Sequence, residues 1–258
     1  MNTIEILVEL EFSSPILFRV EATQNWRIPS DTLFRGLVSS IVMLYSPTVA
    51  RDVAENTFTS SLLMIRDSKL YIPNIGIRSY VSLDESDAVD ASELLAIQEM
   101  MRIPRIPGFD PTPFGYNALL AQKEKWGIVL HALEVLKGVL LSGLKLLGEL
   151  GIGAKRTRGY GRFRVVRESL LEEYGAKISS KGTLASRYQP LKKETVEGLE
   201  IYWEEFEVSF GAGRKYVFSA IGEGSKLLKA DRGRVEYVVN DLGHRVPVLL
   251  RPVLLTPS

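Results

Sequence analysis

The sequence has no cysteine and only two histidines, His131 and His244, in 258 residues. Without thiols it can form no disulfide, no iron–sulfur cluster and no cysteine zinc site. Two histidines leave little material for metal binding or proton transfer. A strong charge imbalance is also missing, since 32 Lys and Arg face 31 Asp and Glu for a net of +1. Affinity for nucleic acid would therefore have to come from local clustering. No run of about 18 uninterrupted apolar residues occurs, so no membrane-spanning helix is expected. The opening MNTIEILVELEF alternates apolar residues with acids as a strand does, and it lacks the basic start of a leader peptide. A soluble, cytoplasmic protein without metal or cofactor is the expectation.

What is present suffices for a core: 45% of residues are hydrophobic and 24% charged, as in globular proteins. Residues 3–12 place Ile4, Ile6, Val8, Leu10 and Phe12 on one face of a strand. Ser30 and Asp31 are N-cap residue types and open a helix that stops at Pro47. Leu62–Ile65 and Lys69–Ile72 flank an Asp67-Ser68 turn, a hairpin pattern. Pro104, Pro107, Pro111 and Pro113 make residues 102–116 a projecting irregular segment or hairpin. Residues 125–133 form an apolar run that enters a helix, where Leu133, Leu136, Leu140, Leu144, Leu147 and Leu150 repeat at three- and four-residue spacing. Gly151 ends that helix, and strand-like alternation returns at 160–168.

The order through residue 168 is β-α-β-β-projection-β-α-loop-β, that of a split βαβ, ferredoxin-like unit with an insertion. The expected fold class is therefore α+β with two ferredoxin-like, RRM-like domains. Residues 1–170 form the first, with an insertion at about 81–124. Residues 171–198 read as a linker or mobile insertion. Residues 199–258, rich in strand patterns, form a second and reduced unit.

The stretch LGELGIGAKRTRGYGRFRVVRE, 147–168, carries six Lys or Arg between Lys155 and Arg167 with no acid among them. Gly151/Gly153 and Gly159/Gly161 frame its first half. A phosphate-binding loop of nucleotide enzymes follows a strand and opens a helix, whereas this one follows a helix, and its glycine spacing also differs. A C-capping glycine before a solvated basic strand is the simpler account of any single glycine pair. Six clustered cations in a nearly neutral protein repel one another unless an anion joins them. Glycine lets backbone N–H groups approach phosphates, arginine supplies forked donors, and Tyr160 and Phe163 offer stacking faces. Together these features predict a site for a nucleic-acid backbone. RGYG at 158–161 also matches the start of an RNA-recognition-motif signature, after which RFRV departs from it.

The helix ending in LGELGIGAKRTRGYGRF, with IPSDTLFRGL at 28–37 upstream, resembles the RAMP superfamily of CRISPR proteins. It is most similar to the fourth-subunit family of type III-A, or Csm, effector complexes, and AIGEGSKLL at 220–228 is similar to a turn in that family's second half. The resemblance implies a non-catalytic subunit that grips the 5′ repeat-derived handle of the crRNA. It also implies contact with the large polymerase-like subunit and with the first backbone RAMP subunit. On that reading Lys155, Arg156, Arg158 and Arg162 hold phosphates, Tyr160 stacks, and Gly151, Gly153, Gly159 and Gly161 shape the loop. Arg27 and Ser30 at the start of helix 31–45 would offer a second phosphate contact. The proline-rich segment would be a thumb, with Arg102 and Arg105 on phosphate and Phe109, Phe114 or Tyr116 wedged against a base. A rigid proline loop packing on a neighbouring protein explains those aromatics equally well.

Asp31 reads as a helix cap, without the partner carboxylate that metal-dependent cleavage would need. The enzyme alternative is a metal-independent crRNA-processing RAMP endoribonuclease using His131 or His244 as base. Neither histidine lies in a recognisable constellation with Lys or Tyr. A free-standing RNA-binding regulator and the equivalent type III-B subunit are further alternatives.

Overall fold

In a computed structural model the described residues are 2–18, 26–102, 112–209 and 214–258. Strand β1 (Thr3–Phe12) is followed by a two-residue strand β2 (Ile16–Leu17), helices α1 (Ser30–Leu44) and α2 (Pro47–Asn56), and strands β3 (Thr57–Thr59), β4 (Leu63–Arg66), β5 (Lys69–Asn74), β6 (Ser79–Ser82) and β7 (Ala88–Asp90). A long hairpin, β8 (Leu95–Arg102) and β9 (Thr112–Leu119), leads to β10 (Lys125–Leu133), α3 (Lys137–Leu150) and β11 (Phe163–Ser169). The remainder is strand: β12 (Ala176–Leu184), β13 (Glu197–Glu200), β14 (Trp203–Ser209), β15 (Lys215–Ile221), β16 (Lys226–Lys229), β17 (Arg234–Val239), β18 (Arg245–Leu250) and β19 (Leu254–Pro257).

The main sheet runs β11-β1-β10-β4-β5-β6-β7, with β3 also pairing β10. Its first four strands are antiparallel neighbours in the spatial order fourth, first, third, second of a β-α-β-β-α-β unit. Helices α1 and α3 cover one face. Leu33, Phe34, Leu37 and Ile41 of α1 and Leu140, Leu144 and Leu147 of α3 join Val8, Leu10, Ile128 and Leu130 in the largest apolar core. The Asp67-Ser68 turn forms as expected, with both residues at positive φ in the primed geometry that a two-residue hairpin favours. The stripe read as one helix from Leu133 begins later: Leu133 ends β10, and residues 134–136 form a 3₁₀ turn before α3.

Two expectations about the second half are corrected. Residues 171–198 are neither linker nor mobile insertion, because β12 is paired on both sides in a four-stranded sheet, β13-β16-β12-β19. Leu184, Ala185, Ser186, Arg187 and Tyr188 are among the most buried residues of the chain. Their polar neighbours disguised them: a strand buried through its partners need not alternate cleanly. Nor does 199–258 form a helix-and-sheet unit like the first, since every α-helix among the described residues precedes Gly151. It builds two hairpins, β14-β15 and β17-β18, around a small core of Phe206, Val208, Val238, Val248 and Leu250. The apolar C-terminal run is core strand, with Leu249 and Leu255 buried.

A buried ion network ties the halves together. Arg27 donates to Glu204 at 2.9 Å and to Glu223 at 3.0 Å. Arg187 donates to Glu204 at 2.8 Å and to Asp31 at 2.7 Å, and its guanidinium lies 4.0 Å over the Phe206 ring. Asp31 takes a second pair from the half-buried Arg35 at 3.2 Å, so three cations balance three carboxylates. Ser61 donates to Glu223 and accepts from the Ser30 N–H, while Ser30 Oγ accepts from the Arg187 N–H. Neither Ser30 nor Asp31 is the N-cap; Pro29 holds that position without a side-chain hydrogen bond. Arg27 and Ser30, each 1% exposed, are thereby inside the protein and not on a phosphate-binding surface.

Burial alone would raise the Glu204 carboxyl, but Arg27 and Arg187 outweigh it and hold the group at about 2, against an ordinary 4.5. Its stabilising contribution is thus full above about pH 4.5 and is lost as pH falls towards 2. Chemical denaturation followed across that range should show stability falling in the wild type, with a shallower fall in Glu204→Gln. At pH 7 the same substitution should cost about 3–5 kcal/mol, because it leaves buried arginines short of a partner.

Candidate nucleic-acid interface

The loop expected to bind nucleic acid is built by α3, β11 and the Ser13–Phe18 segment after β1. Helix α3 ends at Gly151, whose N–H returns to Leu147 O at 2.7 Å. Ile152 N–H then bonds Gly161 O, closing the loop across its neck at 3.0 Å. Between them Arg156–Arg158 make a 3₁₀ turn, entered at Lys155 with φ 56° and left at Gly159 with φ 86°. A lysine in the left-handed region is strained by about 1 kcal/mol or more, and such strain collects at binding sites.

Three of the four framing glycines use their N–H groups internally: Gly151 as above, Gly159 to Arg156 O and Gly161 to Pro15 O, both at 2.9 Å. The expectation that glycine N–H groups would face phosphates is therefore revised, because these positions serve the packing of the loop. At Gly161 a Cβ would stand 1.9 Å from Ile152 O, so no side chain fits. Gly159 needs its positive φ but faces open space, and Gly153 is exposed beside Leu17 O.

What the loop presents outward is side-chain charge. Arg164 donates to Glu11 at 2.9 Å and Arg167 pairs with Glu9. Burial would raise the Glu9 carboxyl, but bonds from Tyr174, Ser169 and Arg167 hold it below its ordinary value. The other four cations, Lys155, Arg156, Arg158 and Arg162, have no carboxylate within ion-pair distance among the described residues. Arg156, Arg158 and Arg162 are exposed and Lys155 is half-buried. The six clustered cations thus divide into two held by the sheet and four with no ion-pair partner among the described residues.

The structure brings the root of the hairpin formed by β8 and β9 to this loop. Strands β8 and β9 pair antiparallel from Leu95↔Leu119 to Arg102↔Thr112, and residues 103–111 between them lie outside the described residues. Strand β9 pairs with β2 through Leu17↔Ala118 and Ile16↔Leu119, and the Ala154 N–H bonds Leu17 O at 2.7 Å. Leu17, Met100 and Ala118 form a small apolar cluster on which Tyr116, Ala154 and Tyr160 pack. Lys155 Nζ lies 5.4 Å from the Tyr116 ring centroid, and Arg158 Nη1 lies 3.8 Å from Met100 Sδ. Tyr160 is half-buried and packs on the same cluster as Tyr116. Arg102 and Phe114 lie in the hairpin strands, Phe114 opposite Met100, while Arg105 and Phe109 fall outside the described residues.

Sequence reasoning missed Ser13, Ser14, Leu17 and Met100. Ser14 Oγ donates to Gly159 O at 2.8 Å and Ser13 N–H bonds Arg162 O at 3.0 Å. The turn-forming Ser-Ser-Pro at 13–15 was the available signal. The candidate bases stand elsewhere: His131 pairs with Glu5 at 3.0 Å and meets Phe58 edge-on, and His244 closes the turn between β17 and β18. No cluster of three or more potential metal ligands occurs among the described residues.

The first unit thus combines a split βαβ order, a glycine-framed cationic loop after its last helix and a hairpin rooted against that loop. No protein-family model matches the sequence, and no curated protein matches it. Its fold, however, is shared along the full length with Csm4 in solved type III CRISPR structures. Against the Csm3-Csm4 subcomplex of the type III-A interference complex the TM-score is 0.67 at 15% identity, covering 99% of both chains. Against the Csm1-Csm4 cassette in complex with cA4 it is 0.62 at 15% identity, covering 99% of this chain and 100% of that one. The cassette in complex with pppApA gives 0.62 at 16% identity and 99% coverage of both.

Gly161→Ala should destabilise the protein by more than Gly159→Ala, since only the former collides with backbone. Thermal unfolding should put the Gly159 variant within about 1–2 kcal/mol of wild type, the cost of a left-handed alanine, with the Gly161 variant clearly below it.

Proposed function

We propose that this chain is the Csm4-like subunit of a type III-A CRISPR interference complex and catalyses no reaction itself. The full-length fold match to Csm4 carries the assignment. In this role the chain grips the 5′ repeat-derived handle of the crRNA. Lys155, Arg156, Arg158 and Arg162 hold phosphates as point charges and forks, and Gly151, Gly153, Gly159 and Gly161 shape the loop. Tyr160 and Tyr116 supply the stacking surface at the foot of the thumb. Arg102, Arg105, Phe109 and Phe114 belong to the thumb that pushes one nucleotide out of line.

The solved relatives are a Csm3-Csm4 subcomplex and Csm1-Csm4 cassettes. The partners proposed here are accordingly a backbone subunit of Csm3 type and a large subunit of Csm1 type, which this chain bridges. Support for the RNA role comes from the four cations left without acids beside a projecting hairpin.

Purification from the native host with sequencing of bound RNA tests the assignment. Short RNAs sharing one repeat-derived 5′ end, with large and backbone subunits alongside, are expected. The protein alone, with mixed RNA or none, would refute it. Replacing Arg156 and Arg158 by Ala should weaken RNA binding regardless of sequence. It should also flatten the log–log salt dependence by about 0.7 for each phosphate that is no longer neutralised. An unchanged slope would remove the phosphate role.

A further inference from the structure

A second feature lies in other residues, where the segment after β12 meets the β14-β15 hairpin. A half-open cleft of about 210 Å³ is lined by Gln189, Pro190, Leu191, Lys193, Trp203, Ser219 and Arg234. Trp203 is 49% exposed, while Trp26 and Trp126, the other two tryptophans, are 5% and 0% exposed. Lys193 Nζ stands 5.8 Å from the Trp203 ring centroid and has no carboxylate within ion-pair distance among the described residues. Arg234 donates through Nη2 to the Pro190 and Leu191 carbonyls at 2.8 and 3.1 Å, and through Nη1 to Glu236 at 3.3 Å. Its Nε–H is buried without an acceptor among the described residues.

The cleft wall is pinned in place. Asp231 accepts from Tyr188 OH at 3.0 Å, Leu191 N–H at 2.8 Å, Thr195 Oγ1 at 2.6 Å and Gly233 N–H at 2.7 Å. A fixed wall, an open indole face, an ammonium over that face without a carboxylate partner among the described residues, and an arginine short of one acceptor suit a particular ligand chemistry. A planar ring can stack on Trp203 whatever its hydrogen-bond edge. Its anionic substituent can draw Lys193 off the indole and, after a small rotation of the guanidinium, give Arg234 Nε–H an acceptor. The volume falls below the roughly 300 Å³ at which pockets for drug-sized ligands begin, and it has room for one base and its charged group but not for two stacked bases.

We infer that this cleft binds a single nucleoside monophosphate unit, its base on Trp203 and its phosphate between Lys193 and Arg234. The unit is either a free nucleotide or one unstacked nucleotide of a single strand. The inference does not rest on the handle-binding reading.

Trp203 is its own probe, because the other two tryptophans are buried. The full chain is titrated with uridine monophosphate, adenosine monophosphate, uridine and a uridine hexanucleotide while tryptophan emission is followed. Saturable quenching is expected with a monophosphate or the hexanucleotide, and weaker quenching with uridine. It should vanish in Trp203→Phe and shift to about tenfold higher concentration in Lys193→Gln, where one charge pairing with the phosphate is removed. Equal midpoints per nucleotide would identify a free-nucleotide site, and response to the hexanucleotide alone a strand site. The hexanucleotide is also run on the Arg156→Ala/Arg158→Ala variant, where retained quenching separates this cleft from the glycine loop. Linear, unsaturating quenching, or saturation unchanged in Lys193→Gln and equal for uridine, would overturn the inference.

Discussion

The structure depends on one buried electrostatic constraint. Arg27 and Arg187 must find carboxylates inside the protein, because an unpaired guanidinium there would cost several kcal/mol. Their partners arrive from sequence positions 31, 204 and 223, so the network forms only when the first α/β unit and the later hairpins are both in place. The hydroxyls of Ser30 and Ser61 complete the lining. The network makes one cooperative body of two halves whose secondary structures have little in common.

Two of the stretches that carried the family resemblance, IPSDTLF and AIGEGSKLL, meet in this network. Asp31 lies in one and Glu223 in the other, bridged through Arg27, Arg187 and Glu204. In this chain both stretches serve the architecture. The basic glycine loop differs in kind: Gly151 and Gly161 answer to packing, while four of its cations have no ion-pair partner among the described residues. The distinction matters wherever motif and binding site are treated as the same thing.

The first unit was legible in the sequence because its signals are periodic and local. Alternation gave β1, the leucine spacing gave α3, Gly151 gave its end, and Asp67-Ser68 gave a hairpin. The cationic loop was legible as charge density, and four of its side chains have no ion-pair partner among the described residues. The buried arginines were not legible, since an arginine near a helix start reads as surface until its distant carboxylates are known. The stretch from 184 to 188 was misread for the same reason: its Ser, Arg and Tyr are polar by composition and buried by partnership. Pairing of β9 with β2, which carries the hairpin to the loop, rests on two residues and leaves no pattern to read.

Residues 13–18 carry a mechanical consequence. This short segment bonds the loop through Ser13, Ser14, Pro15 and Leu17, and on its other edge it pairs with the root of the hairpin. Loop and hairpin are thus two arms of one rigid bracket, with Lys155 and Tyr116 closing the angle between them. The loop and the hairpin root therefore share one segment of backbone. A strand held by the four cations and bent around the hairpin would have its path set by the bracket's angle, a ruler fixed by backbone instead of by the identity of the bases.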